Sequence, residues 1–218
     1  MLVGTLPGQA ADLLRERILS GVYPPGTRIV EADLARELEI SRNTLRSALQ
    51  TLSFEGLLVQ NQFKSTHVPL PHAEDVFETY TLRNALEAMA CRLAAGRAMK
   101  FGTAELDAVV DRMAAAVRAG DREAMVRADY AFHIAVVELA GHARLREHYR
   151  LLHAQTRLYL NLTSTVEYEL PEIERLHRAL ADAIRAGDAA LAERLGGSHS
   201  TEDGERLCRL LREREETQ

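Results

Sequence analysis

The chain has 218 residues, 46% hydrophobic and 27% charged, with 27 Lys+Arg against 32 Asp+Glu and a formal charge of −5. That is an ordinary globular composition, with enough chain to bury a core in one or two domains. No apolar run nears the roughly 18 residues that span a bilayer; Met1 to Ala11 lacks the basic and apolar regions of a signal peptide; and two distant cysteines, Cys91 and Cys208, make no disulfide scaffold. A cytoplasmic protein is expected, with no membrane association. The mild acidity argues against non-specific coating of nucleic acid but leaves room for a small DNA-reading face.

Residues 8–20 place Ala10, Leu14 and Ile18 on one helical face, and Gly21 ends that helix. Tyr23-Pro24-Pro25-Gly26 reads as a turn before a short extended run, Thr27 to Val30. A second helix covers Glu31 to Leu38, with Leu34, Ala35 and Leu38 inward. Ser41 is a good N-cap for a third helix over 42–55, striped by Leu45, Leu49 and Leu52 and stopped by Gly56. Two strands, Leu57 to Gln60 and Thr66 to Val68, flank the loop Asn61 to Ser65. The order helix, helix, turn, helix, hairpin is that of a winged helix-turn-helix. Val68-Pro69-Leu70-Pro71 reads as an extended linker and places a domain boundary there, giving domains 1–70 and 71–218. The first carries 7 basic and 7 acidic residues, which leaves 20 and 25 for the second.

Arg42 and Arg46 lie four apart on the third helix, and Gln50 continues their face opposite the leucines. Asn43 sits beside them near the helix start. A helix in the major groove reads bases with such residues. The competing reading is a solvated polar face.

The second part is helical throughout, an all-α antiparallel bundle on the strength of its short loops. Six helices are expected, at roughly 73–98, 103–119, 121–140, 142–164, 170–186 and 188–213. Thr103, Asp121 and Asp188 are N-cap candidates, and Pro171 suits a first turn. Polar residues interrupt the apolar stripes. The third of these helices runs Met125, Asp129, Phe132, Val136, Leu139, with His133 one turn beyond Asp129. The fifth runs Ile173, His177, Leu180, Ile184, and His199 follows Leu191 and Leu195 on the sixth. One carboxylate and three imidazoles therefore point inward. An ionised buried carboxylate needs a cation or donors, and a shared divalent metal is the simplest supply. The competing reading is a set of hydrogen-bonded core histidines. Acid-to-His pairs at i,i+4 occur twice, Asp129/His133 and Glu138/His142, where chance supplies about one. On the first bundle helix, Arg83 lies on the stripe Val76, Tyr80, Arg83, Glu87, Ala90, beside a greasier stripe of Leu82, Leu86 and Met89. Arg83 either pairs with Glu87 at the surface or reaches into a cavity to clamp a carboxylate.

The stretch Ile18-Leu19-Ser20-Gly21, then Pro25-Gly26-Thr27-Arg28-Ile29-Val30-Glu31, Leu34-Ala35, Ile40-Ser41-Arg42, Leu45-Arg46-Ser47-Ala48-Leu49, Leu52 and Glu55-Gly56-Leu57-Leu58 resembles the DNA-binding domain of the GntR family of bacterial transcription regulators. The resemblance implies operator contacts from Arg42, Thr44 and Arg46, and makes Lys64 the one base in the wing. Glu39 replaces the usual turn glycine, Asn43-Thr44 replaces a common Thr-Pro, and the wing lacks its glycine. Residues 74–215 resemble the helical FCD effector domain of the FadR subfamily, in its six-helix, VanR-like form. The cues are Leu82 to Glu87, Asp129-Tyr130-Ala131-Phe132-His133, Gly141 to Leu145, and His177 through Ala186-Gly187-Asp188 to His199. That resemblance implies a metal, commonly zinc or nickel, held by Asp129, His133, His177 and His199, with Arg83 on the effector. Tyr80 and His142 are further effector-side candidates, with Arg127 and Tyr159 behind them.

The expected function is a repressor, a homodimer on a palindromic double-stranded operator, whose binding is modulated by a small carboxylate at the metal. The alternatives are a metal-dependent hydrolase and a regulator whose metal is structural or is itself the signal. Against the hydrolase, the sequence has no His-Asp dipeptide, no HExxH and no Gly-rich phosphate loop, and only one Glu-x-x-His, at Glu174/His177. No enzyme is expected.

Overall fold

Local capping decides where most helices begin. The Thr5 hydroxyl accepts from the Gly8 amide and opens α1, Leu6–Leu19. After β1 (Arg28–Ile29) and α2 (Glu31–Glu37), the Ser41 hydroxyl accepts from the Thr44 amide at 3.1 Å and starts α3, Arg42–Phe54. Ser, Thr, Asp and Asn at N-caps satisfy amides that a helix leaves open. The strands β2 (Val59–Gln60) and β3 (Thr66–His67) complete a three-stranded antiparallel sheet in the order β1-β3-β2, with Ile29 opposite Thr66 and Val59 opposite His67. The computed structural model describes residues 5–60, 65–160 and 169–216. The wing expectation for Lys64 lies outside them.

Seven further helices follow among the described residues: α4 Ala73–Phe101, α5 Ala104–Ala119, α6 Arg122–Ala140, α7 Ala143–Leu160, α8 Leu170–Arg185, α9 Ala189–Ser198 and α10 Thr201–Glu215. Asp121 and Asp188 cap α6 and α9 through their side chains. Thr103 stands at the N-cap of α5, but its hydroxyl donates to Asp107 instead. Six helices were expected and seven are present, because the last expected helix breaks at His199-Ser200 into α9 and α10.

The described residues form two compact units. One comprises Met1–Val76, Leu151–Thr165 and Cys208–Gln218, the other Phe77–Arg150 and Val166–Leu207. Residues 5–60 and 65–70 fall in the first unit. Its N-terminal core packs Leu14, Ile18, Leu45, Leu49 and Leu52 on and around α1 and α3, all nearly closed to solvent. Arg15 of α1 forks onto Glu55 at the end of α3, Nε to Oε2 and NH2 to Oε1, both at 2.7 Å. The second unit has a core of Met113, Met125, Phe132, Leu180 and Ile184, drawn from α5, α6 and α8. No helix is long and apolar enough to cross a membrane among the described residues.

Glu39 adopts φ +53° between α2 and α3, the one positive-φ residue other than glycine among those described. A left-handed L-residue costs about 1–2 kcal/mol, and glycine gives back roughly 0.4–1 kcal/mol through the unfolded chain. The Glu39 side chain is exposed. Glu39→Gly is expected to stabilise the first unit by about 0.5–1 kcal/mol, measured by urea melting; an equal or lower stability would contradict the strained turn.

Candidate metal centre and DNA-reading helix

On α3 the leucine stripe is buried and the opposite face is open. Arg42, Asn43, Arg46 and Gln50 are exposed, while Leu45, Ala48, Leu49 and Leu52 are buried. Thr44 is half-buried and its hydroxyl lies 2.8 Å from that of Ser41. Arg46 is not idle: its Nε donates to Glu31 Oε2 at 2.9 Å.

In the second unit the stripe containing Arg83 turns out to be the inward one. Tyr80, Arg83, Glu87 and Ala90 are all at most 5% exposed. The greasier stripe is less buried, with Leu82 52% exposed and Leu86 and Met89 only partly covered by the core. The interior prefers the polar stripe because other helices bring it partners. Arg83 Nε donates to Glu87 Oε1 at 2.7 Å. Tyr149 of α7 donates its hydroxyl to the same oxygen at 2.6 Å. His133 Nδ1 sits 3.1 Å from it, and the Ser200 hydroxyl lies 3.5 Å from Oε2.

Asp129, His133, His177 and His199 form one cluster, with one ligand-type atom from each lying within 4.8 Å of all the others. Asp129 and His133 come from adjacent turns of α6, His177 from α8, and His199 from the break after α9. A Cβ at Gly196 would stand 2.5 Å from Cys91 Sγ and 3.1 Å from the Glu87 carbonyl oxygen. Only glycine lets α9 lie so near α4.

The hydrogen bonds fix which ring atoms face the centre. His177 Nδ1 lies 2.8 Å from the Ile173 carbonyl, which can only accept, so Nδ1 carries the proton. His177 Nε2 then faces Asp129 Oδ1 at 2.9 Å and His199 Nε2 at 3.2 Å. The Glu87 carboxylate likewise only accepts, so His133 donates from Nδ1. His133 Nε2 faces Asp129 Oδ1 at 3.8 Å and the Arg83 NH2 group, which donates to it at 3.1 Å. With its proton on Nδ1, His177 turns its Nε2 lone pair toward Asp129 Oδ1, while His133 Nε2 lies against the Arg83 guanidinium.

The electrostatics follow. Burial raises the Asp129 carboxyl, but hydrogen bonds to His133 and His177 outweigh it and hold it well below the usual range. Burial opposes the charged Glu87 too, and Arg83 and His133 more than offset it. His133 is lowered by burial and raised by Glu87, ending up at about 9. His199 is pushed down to about 3 by burial and then by His177 and His133. Asp203 on the first turn of α10 is raised to about 6 by burial and then by Asp129.

The remaining candidates separate. Tyr80 is buried with its ring beside Arg83, whose Cζ is 5.8 Å from the ring centroid. His142 is exposed and its Nδ1 accepts from the Leu145 amide, capping α7 instead of joining the cluster. Its expected partner Glu138 pairs with Arg146 and Arg150. Arg127 is exposed and pairs with Glu123. Tyr159 is buried in the first unit. Sequence reasoning missed the centrality of Glu87, and also missed Tyr149, Ser200 and Asp203. The signal for Glu87 was its place on the Val76-to-Ala90 stripe; Ser200 and Asp203 depended on a break that periodicity does not show.

The donor set suits a metal. Donors bound to one tetrahedral zinc at about 2.1 Å stand about 3.4 Å apart, and the four ligand atoms here lie within 4.8 Å of one another, so binding would draw them inward by about an ångström.

His199 stays neutral in the fold, against about 6.5 unfolded. Its contribution to stability is present above that pH and lost as pH falls from 6.5 toward 3. His133 runs the other way, with its contribution present below 6.5 and lost as pH rises through about 9. In chelator, His199→Gln should flatten the acid limb of the stability curve between pH 6.5 and 3. An acid limb identical to wild type would show that the ring does not stay neutral there.

The comparisons with known proteins agree on the class. The model for bacterial regulatory proteins of the gntR family matches residues 6–68, and that for the FCD domain matches residues 78–202. The chain is 31% identical over 189 residues to the Paenarthrobacter nicotinovorans protein named "Probable D-xylose utilization operon transcriptional repressor", covering 87% of this chain and 83% of that one. It is 27% identical to the galactonate operon transcriptional repressor of Escherichia coli K12, over 83% of this chain and 87% of that one. Escherichia coli McbR/YncC shares the fold with a TM-score of 0.81 at 23% identity, covering 95% and 99% of the two chains.

Proposed function

Because the chain belongs to the gntR family of bacterial regulatory proteins, in the FadR-type arrangement with an FCD domain behind the winged helix, we propose that it is a repressor whose operator binding responds to a small carboxylate held at a metal. Its family and relatives are DNA-binding transcription regulators, not enzymes.

The observation that carries the metal is the facing of acceptors. His177 Nδ1 is committed to a carbonyl, and its Nε2 stands 2.9 Å from a carboxylate oxygen. A divalent cation between them would relieve that repulsion, and His133 and His199 stand close enough to complete its shell. Zinc or nickel fits three imidazole nitrogens and one carboxylate. Bound there, the ion supplies Lewis acidity toward a carboxylate oxygen. Arg83 lies against the same centre through His133 Nε2, and its guanidinium edge suits the second oxygen. Support for an acid effector comes from the relative named for galactonate, a sugar acid.

Arg42, Asn43, Thr44, Arg46 and Gln50 read the major groove, with Lys64 on the wing. Arg46 would leave Glu31 to do so. Operators of helix-turn-helix dimers mirror protein symmetry, so the active species is a homodimer of about twice 24.3 kDa on a palindromic site.

Fluorescence anisotropy on an operator recovered by selection tests this. Arg42→Ala and Arg46→Ala should each cost about 1–3 kcal/mol of specific binding with little change in melting temperature. Zinc-loaded protein should lose affinity for the operator when a hydroxy-carboxylate is added. Arg83→Ala should keep the zinc and lose that response. Operator binding indifferent to every carboxylate tried, with zinc bound, would make the metal structural or the signal itself; unchanged affinity in both arginine variants would sink the orientation of α3.

A further inference from the structure

Among the described residues Glu87 gathers four partners: Arg83, His133, Tyr149 and Ser200. It is 3% exposed, and the groups gathered on it come from α4, α6, α7 and the α9–α10 break. It is not one of the four clustered ligands. Its oxygen Oε1 accepts hydrogen bonds from the His133 Nδ1–H, the Arg83 Nε–H and the Tyr149 hydroxyl.

The consequence for His133 is geometric. A ring whose Nδ1–H is tied to a fixed acceptor cannot rotate about its ring axis, so its Nε2 is aimed at Asp129 Oδ1 and the centre. His177 is fixed the same way by the Ile173 carbonyl, but that acceptor is neutral backbone and no substitution removes it. Glu87 differs in carrying charge, which raises the basicity of the imidazole it holds. It differs again in holding Arg83 by the same oxygen. One carboxylate thus sets both the metal-side ring and the guanidinium.

Resting on the metal reading above, we propose that Glu87 is a positioning residue that serves both halves of the site. It orients His133 toward the ion through Nδ1 and presents Arg83 to the carboxylate through Nε, while Tyr149 fixes Glu87 itself. Loss of such a partner behind a metal-bound histidine typically costs 10–100-fold in metal affinity.

The test is zinc affinity by chelator competition on the full chain, for wild type, Glu87→Gln and Tyr149→Phe. Glu87→Gln keeps an acceptor oxygen of the same shape and removes the charge. Tyr149→Phe removes one donor to Glu87 and touches no ligand. Glu87→Gln should weaken zinc binding 10–100-fold, and Tyr149→Phe should weaken it less, in the same direction. The visible spectrum of the cobalt-substituted protein should change in Glu87→Gln, which a purely structural role for Glu87 would leave alone. Affinity within twofold of wild type in both variants, with an unchanged cobalt spectrum, overturns the role of Glu87 and leaves the metal reading standing. Wild-type protein that takes up no zinc overturns both.

Discussion

Two carboxylates of the helical unit, Glu87 closed to solvent and Asp129 half-buried, are held in the charged form although burial opposes it. Bringing an uncompensated carboxylate out of water costs several kcal/mol even after relaxation, so its surroundings must answer it. Around Glu87 the answer is complete: a guanidinium, an imidazole N–H and a phenol converge on one oxygen. Around Asp129 it rests on imidazoles and on partial exposure to solvent. The groups turned toward it are Nε2 atoms, one of them on a ring whose proton is already committed elsewhere. The two sites are joined by His133, which donates from one nitrogen to Glu87 and offers the other to Asp129.

That shared histidine draws separate helices into one constraint. Asp129 and His133 ride on α6, His177 on α8 and His199 after α9, while Arg83 and Glu87 ride on α4. A ligand engaging these groups stabilises the arrangement in which they converge, and it shifts the population of the unit by its differential affinity for that arrangement. The first unit carries its own compensated charge on the exposed face of α3. Arg46 rests on Glu31, and both are partly open to solvent, so the pair is cheap to exchange for a base edge.

Much of this was legible in the sequence, because periodicity exposes what faces inward. The leucine stripe of α3, the caps at Ser41, Asp121 and Asp188, and the inward setting of Asp129, His133 and His177 all follow from spacing. The order of elements in the winged helix was visible from turn residues and β-branched runs. Three things were not legible. Hydrophobicity alone ranked Leu82, Leu86 and Met89 above the stripe with Arg83 and Glu87, yet partners on other helices made the polar stripe the buried one. The i,i+4 spacing of Glu138 and His142 matched that of Asp129 and His133, but Glu138 pairs with Arg146 and Arg150 and His142 caps a helix. The break at His199-Ser200 has no proline to mark it. It brings His199 and Ser200 to the cluster, with Gly196 permitting the close approach to α4 just before it.

The proposed metal centre is tested most directly by X-ray absorption at the zinc edge, on protein purified without a histidine tag and loaded with one equivalent. The predicted spectrum has a first shell of nitrogen and oxygen at about 2.0–2.1 Å with outer-shell scattering from three imidazoles. Sulfur at about 2.3 Å, which would bring in Cys91 or Cys208, or scattering from fewer than three imidazoles would contradict it.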